Sequence, residues 1–253
     1  MGILKEKLRN HQLTIGSWIT LAHPALPEIM AKAGFEWLVV DLEHSVITIR
    51  EAEELIRVID LCGVTPLVRL TANNPAQIKR VMDAGAHGVI VPMVNNAEQA
   101  LAAVSAVYYP PKGNRGVGLA RAQGYGARFQ EYLAWQETGA VVIAQIEHIE
   151  AVNNLDAIFQ VPGIDGYIIG PYDLSGSLGV PGRFDHPQFL EAMKEIGLAA
   201  ARHHKPGGVH VVEPSPEETR KFIKEGYCFL AYSLDTRLLD VSCRSGLQQV
   251  TKL

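Results

Sequence analysis

The chain is 253 residues long, 47% hydrophobic and 20% charged, with a formal net charge of -4. That hydrophobic share excludes intrinsic disorder, and the acidic balance argues against a nucleic-acid or anionic-membrane binder working through bulk charge. Cys62, Cys228 and Cys243 are far apart and show no CxxC or Cys/His spacing, so neither a disulfide scaffold nor a structural zinc is expected.

Charges interrupt the N-terminal Met1-Gly2-Ile3-Leu4-Lys5-Glu6-Lys7 at once, so no secretory apolar region is expected there. No apolar run approaches the roughly 18 residues of a membrane span. The expectation is a soluble, cytoplasmic protein with neither membrane nor nucleic acid among its partners.

In chain order, runs rich in β-branched residues cover 14–20, 37–41, 65–70 and 88–94. After a gap they resume at 140–147, 166–171, 207–212 and 228–234. Amphipathic stretches lie between them, such as 51–59 and 75–82, the latter opened by Asn74 as N-cap with Pro75 at the first helical position. Nearly continuous apolar strands alternating with helices predict a parallel sheet covered on its outer face. Eight such units favour a single (β/α)8 TIM barrel over 1–253, and no GxGxxG follows the first strand to support a dinucleotide-binding sheet. The segment from Tyr108 to Gly139 breaks the rhythm. Its glycines match no phosphate-binding fingerprint, and it reads as a lid or inter-subunit loop.

Function in such barrels collects at the C-terminal ends of strands. There the second strand ends in Asp41-Leu42-Glu43-His44, the third in Val68-Arg69-Leu70, the fifth in Gln145-Ile146-Glu147, and the sixth runs into Gly170-Pro171-Tyr172-Asp173-Leu174-Ser175. Taken singly, Asp173 reads as a helix cap, Arg69 as a structural ion pair, Glu147 as a solvated acid and His44 as a loop hydrogen-bonder. Converging on one rim, the acids would repel unless a cation joined them. Glu147 and Asp173 offer oxygen donors only, which suits Mg2+ or Mn2+ with positions left to water and substrate. Such an open site polarises a carbonyl and stabilises an enolate. His148, His203, His204 and the charged run 217–225 read as solvated, and Trp18, Trp37 and Trp135 as packing residues.

In these blocks the sequence resembles the HpcH/HpaI aldolases, class II metal-dependent pyruvate aldolases, from about Gly16 to Asp235. The likeness rests on Gly34-Phe35-Glu36-Trp37 leading to Asp41-x-Glu43-His44, then Val68-Arg69, Asn74-Pro75-x-Gln77-Ile78-Lys79, Val91-Pro92-Met93-Val94, Tyr109-Pro110-Pro111-x-Gly113-x-Arg115-Gly116-Val117-Gly118, Gln145-Ile146-Glu147 and Gly170-Pro171-x-Asp173-Leu174-Ser175. The resemblance implies that Glu147 and Asp173 hold the metal, with Co2+ or Zn2+ as further candidates. It places the pyruvate carboxylate on the amides of Tyr172 and Asp173, Gln145 near the pyruvate, and Arg69 on the enolate oxygen. His44 partnered by Asp83 becomes an acid/base dyad, and Asp41 and Glu43 order water around the metal.

The implied reaction cleaves a 4-hydroxy-2-oxo acid, of the 2-keto-3-deoxy sugar acid or 4-hydroxy-2-oxoheptanedioate type. It yields pyruvate and an aldehyde through a metal-stabilised pyruvate enolate. The resemblance further implies a homohexamer, a trimer of dimers, whose last helix, here Thr236 to Thr251, is swapped between subunits. Two departures bear on the aldehyde. The loop Leu119-Ala120-Arg121-Ala122 is shorter than in dicarboxylate-cleaving members, with Arg121 expected at the substrate. His210 stands where an apolar pocket residue is usual and is expected to meet a polar substrate. Rival readings are a citrate-lyase-type or acyl-CoA lyase and a non-catalytic pyruvate-binding protein. Asp41-x-Glu43-His44 with the Tyr-Pro-Pro loop weighs against the first. The joint presence of Arg69, His44, Glu147 and Asp173 weighs against the second.

Overall fold

A strand that is apolar on both faces needs a neighbour on each edge and a cover on each side, and a closed barrel supplies all four. The computed structural model describes residues 3–251. Its strands are β1 (Thr14–Ile19), β2 (Trp37–Asp41), β3 (Thr65–Arg69), β4 (Gly88–Val91), β5 (Val141–Ile146), β6 (Gly166–Ile169), β7 (Gly207–Val211) and β8 (Phe229–Leu234). They pair in parallel in chain order and close by β8 against β1. All eight expected strands are present. β4 stops at Val91 instead of Val94 because Pro92 has no N–H for the ladder and Met93 turns to φ 53°.

The helices are α1 (Ile3–Arg9), α2 (Ala25–Ala33), α3 (Ile49–Leu61), α4 (Pro75–Asp83), α5 (Ala97–Val107), α6 (Phe129–Gly139), α7 (Ile149–Asn153), α8 (Leu155–Phe159), α9 (Pro171–Ser177), α10 (Pro187–Arg202), α11 (Pro216–Lys224) and α12 (Asp235–Thr251). Their starts follow capping chemistry. Asn74 accepts from the amides of Ala76 and Gln77 at 2.8 and 3.2 Å, and Thr48 with Glu51 forms a capping box. Among the described residues no helix is long and apolar enough to cross a membrane.

The barrel interior is filled from below. Trp37 stacks on Phe229 at 4.1 Å, and a Cβ at residue 16 would fall 2.0 Å from the Trp37 ring, so only glycine fits there. Leu4 and Leu8 of α1 pack onto this cluster and close the lower end. The second core lies between the strands and the surrounding helices.

Strand ends thus collect at an upper rim, and helix C-termini at a lower end. The 108–128 segment follows α5 and leads through α6 into β5, so it lies at the lower end, away from the rim of its own barrel. Arg121, in a 3-10 turn (Arg121–Gln123), donates to the Ala84 carbonyl at 3.2 Å and to Asp60 at 2.6 Å. Both partners belong to the ends of helices. Apart from Asp235, no residue of α12 is buried, and Leu239, Leu247 and Val250 are 57%, 66% and 77% exposed.

Candidate active site at the upper rim

The parallel register sets Asp41 and Arg69 side by side at the tops of β2 and β3. Arg69 grips Asp41 bidentately, Nε to Oδ1 at 2.8 Å and Nη2 to Oδ2 at 2.6 Å. Its Nη1 lies 3.2 Å from Glu43, and the guanidinium rests over the Trp18 ring at 4.4 Å. Two of its five N–H groups go to Asp41, which leaves those of Nη1, beside Glu43, and one of Nη2 without a hydrogen bond. Asp41 also acts on the backbone, since its Oδ1 accepts from the amides of Glu43 and His44 at 3.0 and 3.3 Å. Asp41 therefore braces Arg69 and shapes the turn that carries His44. The His44 side chain is exposed.

Glu147, at the top of β5, is 3% exposed. Its Oε1 accepts the Met93 amide at 2.7 Å, and its Oε2 accepts from the Gln145 amide group. The left-handed turn at Met93 aims that backbone N–H at the carboxylate. Gly170 makes room for it, since a Cβ there would lie 2.7 Å from Glu147 Oε2 and 3.6 Å from Gln145 Nε2. Asp173 follows in the first turn of α9, which Gly170 and Pro171 open. In that turn Leu174 is the first amide bonded back, to the Gly170 carbonyl. The Tyr172 and Asp173 amides therefore have no helical acceptor.

The electrostatics are lopsided. Burial pushes the Glu43 carboxyl up to about 7; Arg69 pulls it down, while Glu147, Asp41 and Asp173 push it further up. Glu147 is raised chiefly by burial, with Asp173 adding to it. The Glu43 oxygen beside Arg69 is buried and makes no hydrogen bond. Four carboxylates thus share one guanidinium. The donor set is all oxygen, and among the described residues no three His, Cys, Asp or Glu side chains form a closed cage. A pair of carboxylates with an excess of negative charge around it fits a hard divalent cation that keeps positions open for water and substrate.

The remaining expected residues fall into two groups. His210, on β7, reaches the rim: its ring stacks on Trp18 at 5.2 Å, and its Nε2 meets the Ser233 carbonyl at 2.9 Å. Burial is the main influence pushing its pKa down to about 4. Asp83 and Arg121 lie elsewhere. Asp83 ends α4 at the lower end, so one chain cannot bring it to His44, and Arg121 is held at that same end by Asp60. The sequence reading missed Trp18, taken for a packing residue. Its indole stacks between Arg69 and His210, and its Nε1 is buried without a partner. Its place one residue before the end of β1 was the available signal.

A model of the HpcH/HpaI aldolase/citrate lyase family matches residues 14–240. The chain belongs to this family. It is 38% identical to the 2-keto-3-deoxy-L-rhamnonate aldolase of Salmonella gallinarum, over 96% of this chain and 91% of that protein. It is 34% identical to the 5-keto-4-deoxy-D-glucarate aldolase of Klebsiella pneumoniae, over 91% and 90%. Among solved structures, an HpcH/HpaI aldolase/citrate lyase family protein from Burkholderia cenocepacia superposes with a TM-score of 0.93 at 31% identity, covering 99% of each chain. The aldolase relatives make the chain a carbon-carbon lyase.

Proposed function

We propose that the protein is a metal-dependent aldolase that reversibly cleaves a 2-keto-3-deoxy sugar acid to pyruvate and an aldehyde. The observation that carries this reading is the rim itself. Four acids surround an arginine held rigid by Asp41 and Trp18, and Glu147 is pinned over Gly170 by Met93 and Gln145. The two sugar-acid aldolases it resembles support the substrate class.

Glu147 and Asp173 would hold Mg2+ or Mn2+, which when bound supplies Lewis acidity toward a carbonyl oxygen. The free Tyr172 and Asp173 amides face the substrate carboxylate. His44 removes the proton of the 4-hydroxyl, the C3–C4 bond breaks, and the aldehyde leaves. The electron pair moves to C3 and the 2-oxo oxygen. The outward N–H groups of Arg69 meet the negative charge there, already aligned because Asp41 fixes the guanidinium plane. A proton then returns to C3.

The same proposal extends to the assembly. The exposed apolar side chains of α12 support its exchange between subunits in a hexamer, a trimer of dimers. Because Asp83 and His44 occupy opposite ends of one barrel, the acid/base dyad forms between His44 of one subunit and Asp83 of the next. Arg121 shares that lower end and would approach the substrate in the same manner.

The test is a screen of aldehydes against pyruvate with Mg2+, Mn2+ or Co2+, products being identified by mass spectrometry. Hydroxyaldehydes should give 4-hydroxy-2-oxo acids only when metal is present. Metal-independent products, or turnover that requires CoA, would reject the reading.

A further inference from the structure

The long segment at the lower end buries a charge that the reaction as described leaves unused. Arg115 has a side chain 0% exposed. Its guanidinium lies 4.2 Å from the Tyr109 ring and 5.4 Å from the Tyr132 ring, and its Nη2 donates to the Tyr132 hydroxyl at 2.7 Å. Its Nε and Nη1 have no acceptor. A buried guanidinium is costly unless a carboxylate and a full set of acceptors meet it. Among the described residues its one ion-pair partner is Asp83, whose Oδ1 stands 3.9 Å from Nε. That Oδ1 is likewise buried with no donor. Two orphaned groups therefore face each other across a short gap.

The rest of Asp83 is open. Its side chain keeps 23% exposure although Oδ1 is buried, and Oδ2 passes the backbone of Gly118, where a Cβ would still be 3.9 Å away. Behind the carboxylate is a fixed cation; in front is a path past a glycine. Burial raises the Asp83 carboxyl, and Arg115 opposes this more strongly than Lys79 does.

We propose that Arg115 is the positioning residue of Asp83, holding the carboxylate from behind so that its other oxygen meets His44 of the partner subunit. The proposal rests on the inter-subunit dyad described above. Tyr109 and Tyr132 set the plane of the guanidinium, as Trp18 does for Arg69 at the other end of the barrel. Lysine would keep the charge and lose the planar fork, so it replaces Arg115 only in part.

The test is a double-mutant cycle of Arg115→Gln and Asp83→Asn, with two readouts. One is the rate of 2-keto-3-deoxy-L-rhamnonate cleavage with Mn2+. The other is exchange of the pyruvate C3 protons in heavy water, which uses the rim without the aldehyde end. Arg115→Gln should slow cleavage roughly 10- to 100-fold, the usual penalty for loosening a supporting contact. It should leave exchange within about twofold, add less than about twofold to the loss in Asp83→Asn, and be partly rescued by Arg115→Lys. Wild-type cleavage by Asp83→Asn overturns the dyad, and the positioning role falls with it. If Asp83→Asn is slow but the Arg115→Gln loss is additive to it, or falls equally on exchange, only the positioning role is overturned. Should Arg115→Gln fail to fold, the same cycle with Arg115→Lys decides, since additivity there contradicts the proposal equally.

Discussion

Around Lys5, at the lower end of the barrel, buried charge is met. Lys5 of α1 pairs with Asp165 at 3.0 Å and donates to the Tyr108 hydroxyl at 2.9 Å and the Ala140 carbonyl at 2.6 Å, while Asp165 also accepts the Val142 amide at 2.9 Å. At the upper rim Asp41 and Glu43 both pair with Arg69, the Glu43 contact making no hydrogen bond, and among the described residues Glu147 and Asp173 have no ion-pair partner. The same residue types form a closed structural pair in one place and an open, negative cradle in the other. What separates them is stoichiometry: Lys5 and Asp165 balance one another, and the rim is left needing a cation.

The largest effects are expected where that need is removed. Glu147→Gln or Asp173→Asn should lower metal-dependent turnover by at least about 10³-fold, as loss of several kcal/mol of charge stabilisation implies. Without metal, these variants should melt no lower than wild type, because each removes a repelling charge. Saturating Mn2+ should raise the wild-type melting temperature and leave theirs in place. A variant that melts well below wild type without metal would make the carboxylate structural, like Asp165.

Lys5→Met sets the lower end against this. It leaves Asp165 buried and unpaired, so denaturant unfolding should show a loss of about 3 kcal/mol, with pyruvate exchange unchanged while the protein is folded. A loss of exchange in step with stability would erase the distinction between the two ends. Arg69→Ala should slow pyruvate C3 exchange about 10²-fold, read by NMR in heavy water, with Mn2+ affinity by calorimetry nearly intact. Exchange at the wild-type rate would remove Arg69 from the chemistry.

The smallest effect concerns His210. Its pKa falls from 6.5 to about 4 on folding, so the unfolded chain takes up its proton first as pH drops. Its contribution is fully present above about 6.5 and is lost progressively down to about 4. Against pH, the melting temperature of His210→Leu should fall less steeply than that of wild type through this window. Parallel curves would mean that the imidazole is not held neutral.

The eight strands and the rim acids were legible because an apolar run and a polar strand end are local signals. The Asp41–Arg69 clasp was not, because its geometry comes from the β2–β3 register, which closure of the barrel sets. Trp18 was misread because a tryptophan in an apolar strand has the same local signature whether it packs or braces an arginine. The end at which the 108–128 segment lies was implicit in its order, after a helix and before a strand. For the same reason Asp83, at the C-terminus of α4, cannot meet His44 within one chain.

If the rim is a cation site for enolate chemistry, pyruvate alone suffices to test it. Pyruvate in heavy water with the full-length protein should lose its C3 proton signal by NMR when Mg2+ or Mn2+ is present. The loss should stop on chelation and resume when the metal is restored in excess. Exchange that continues unchanged after thorough chelation would contradict the account, as would no exchange with any divalent metal.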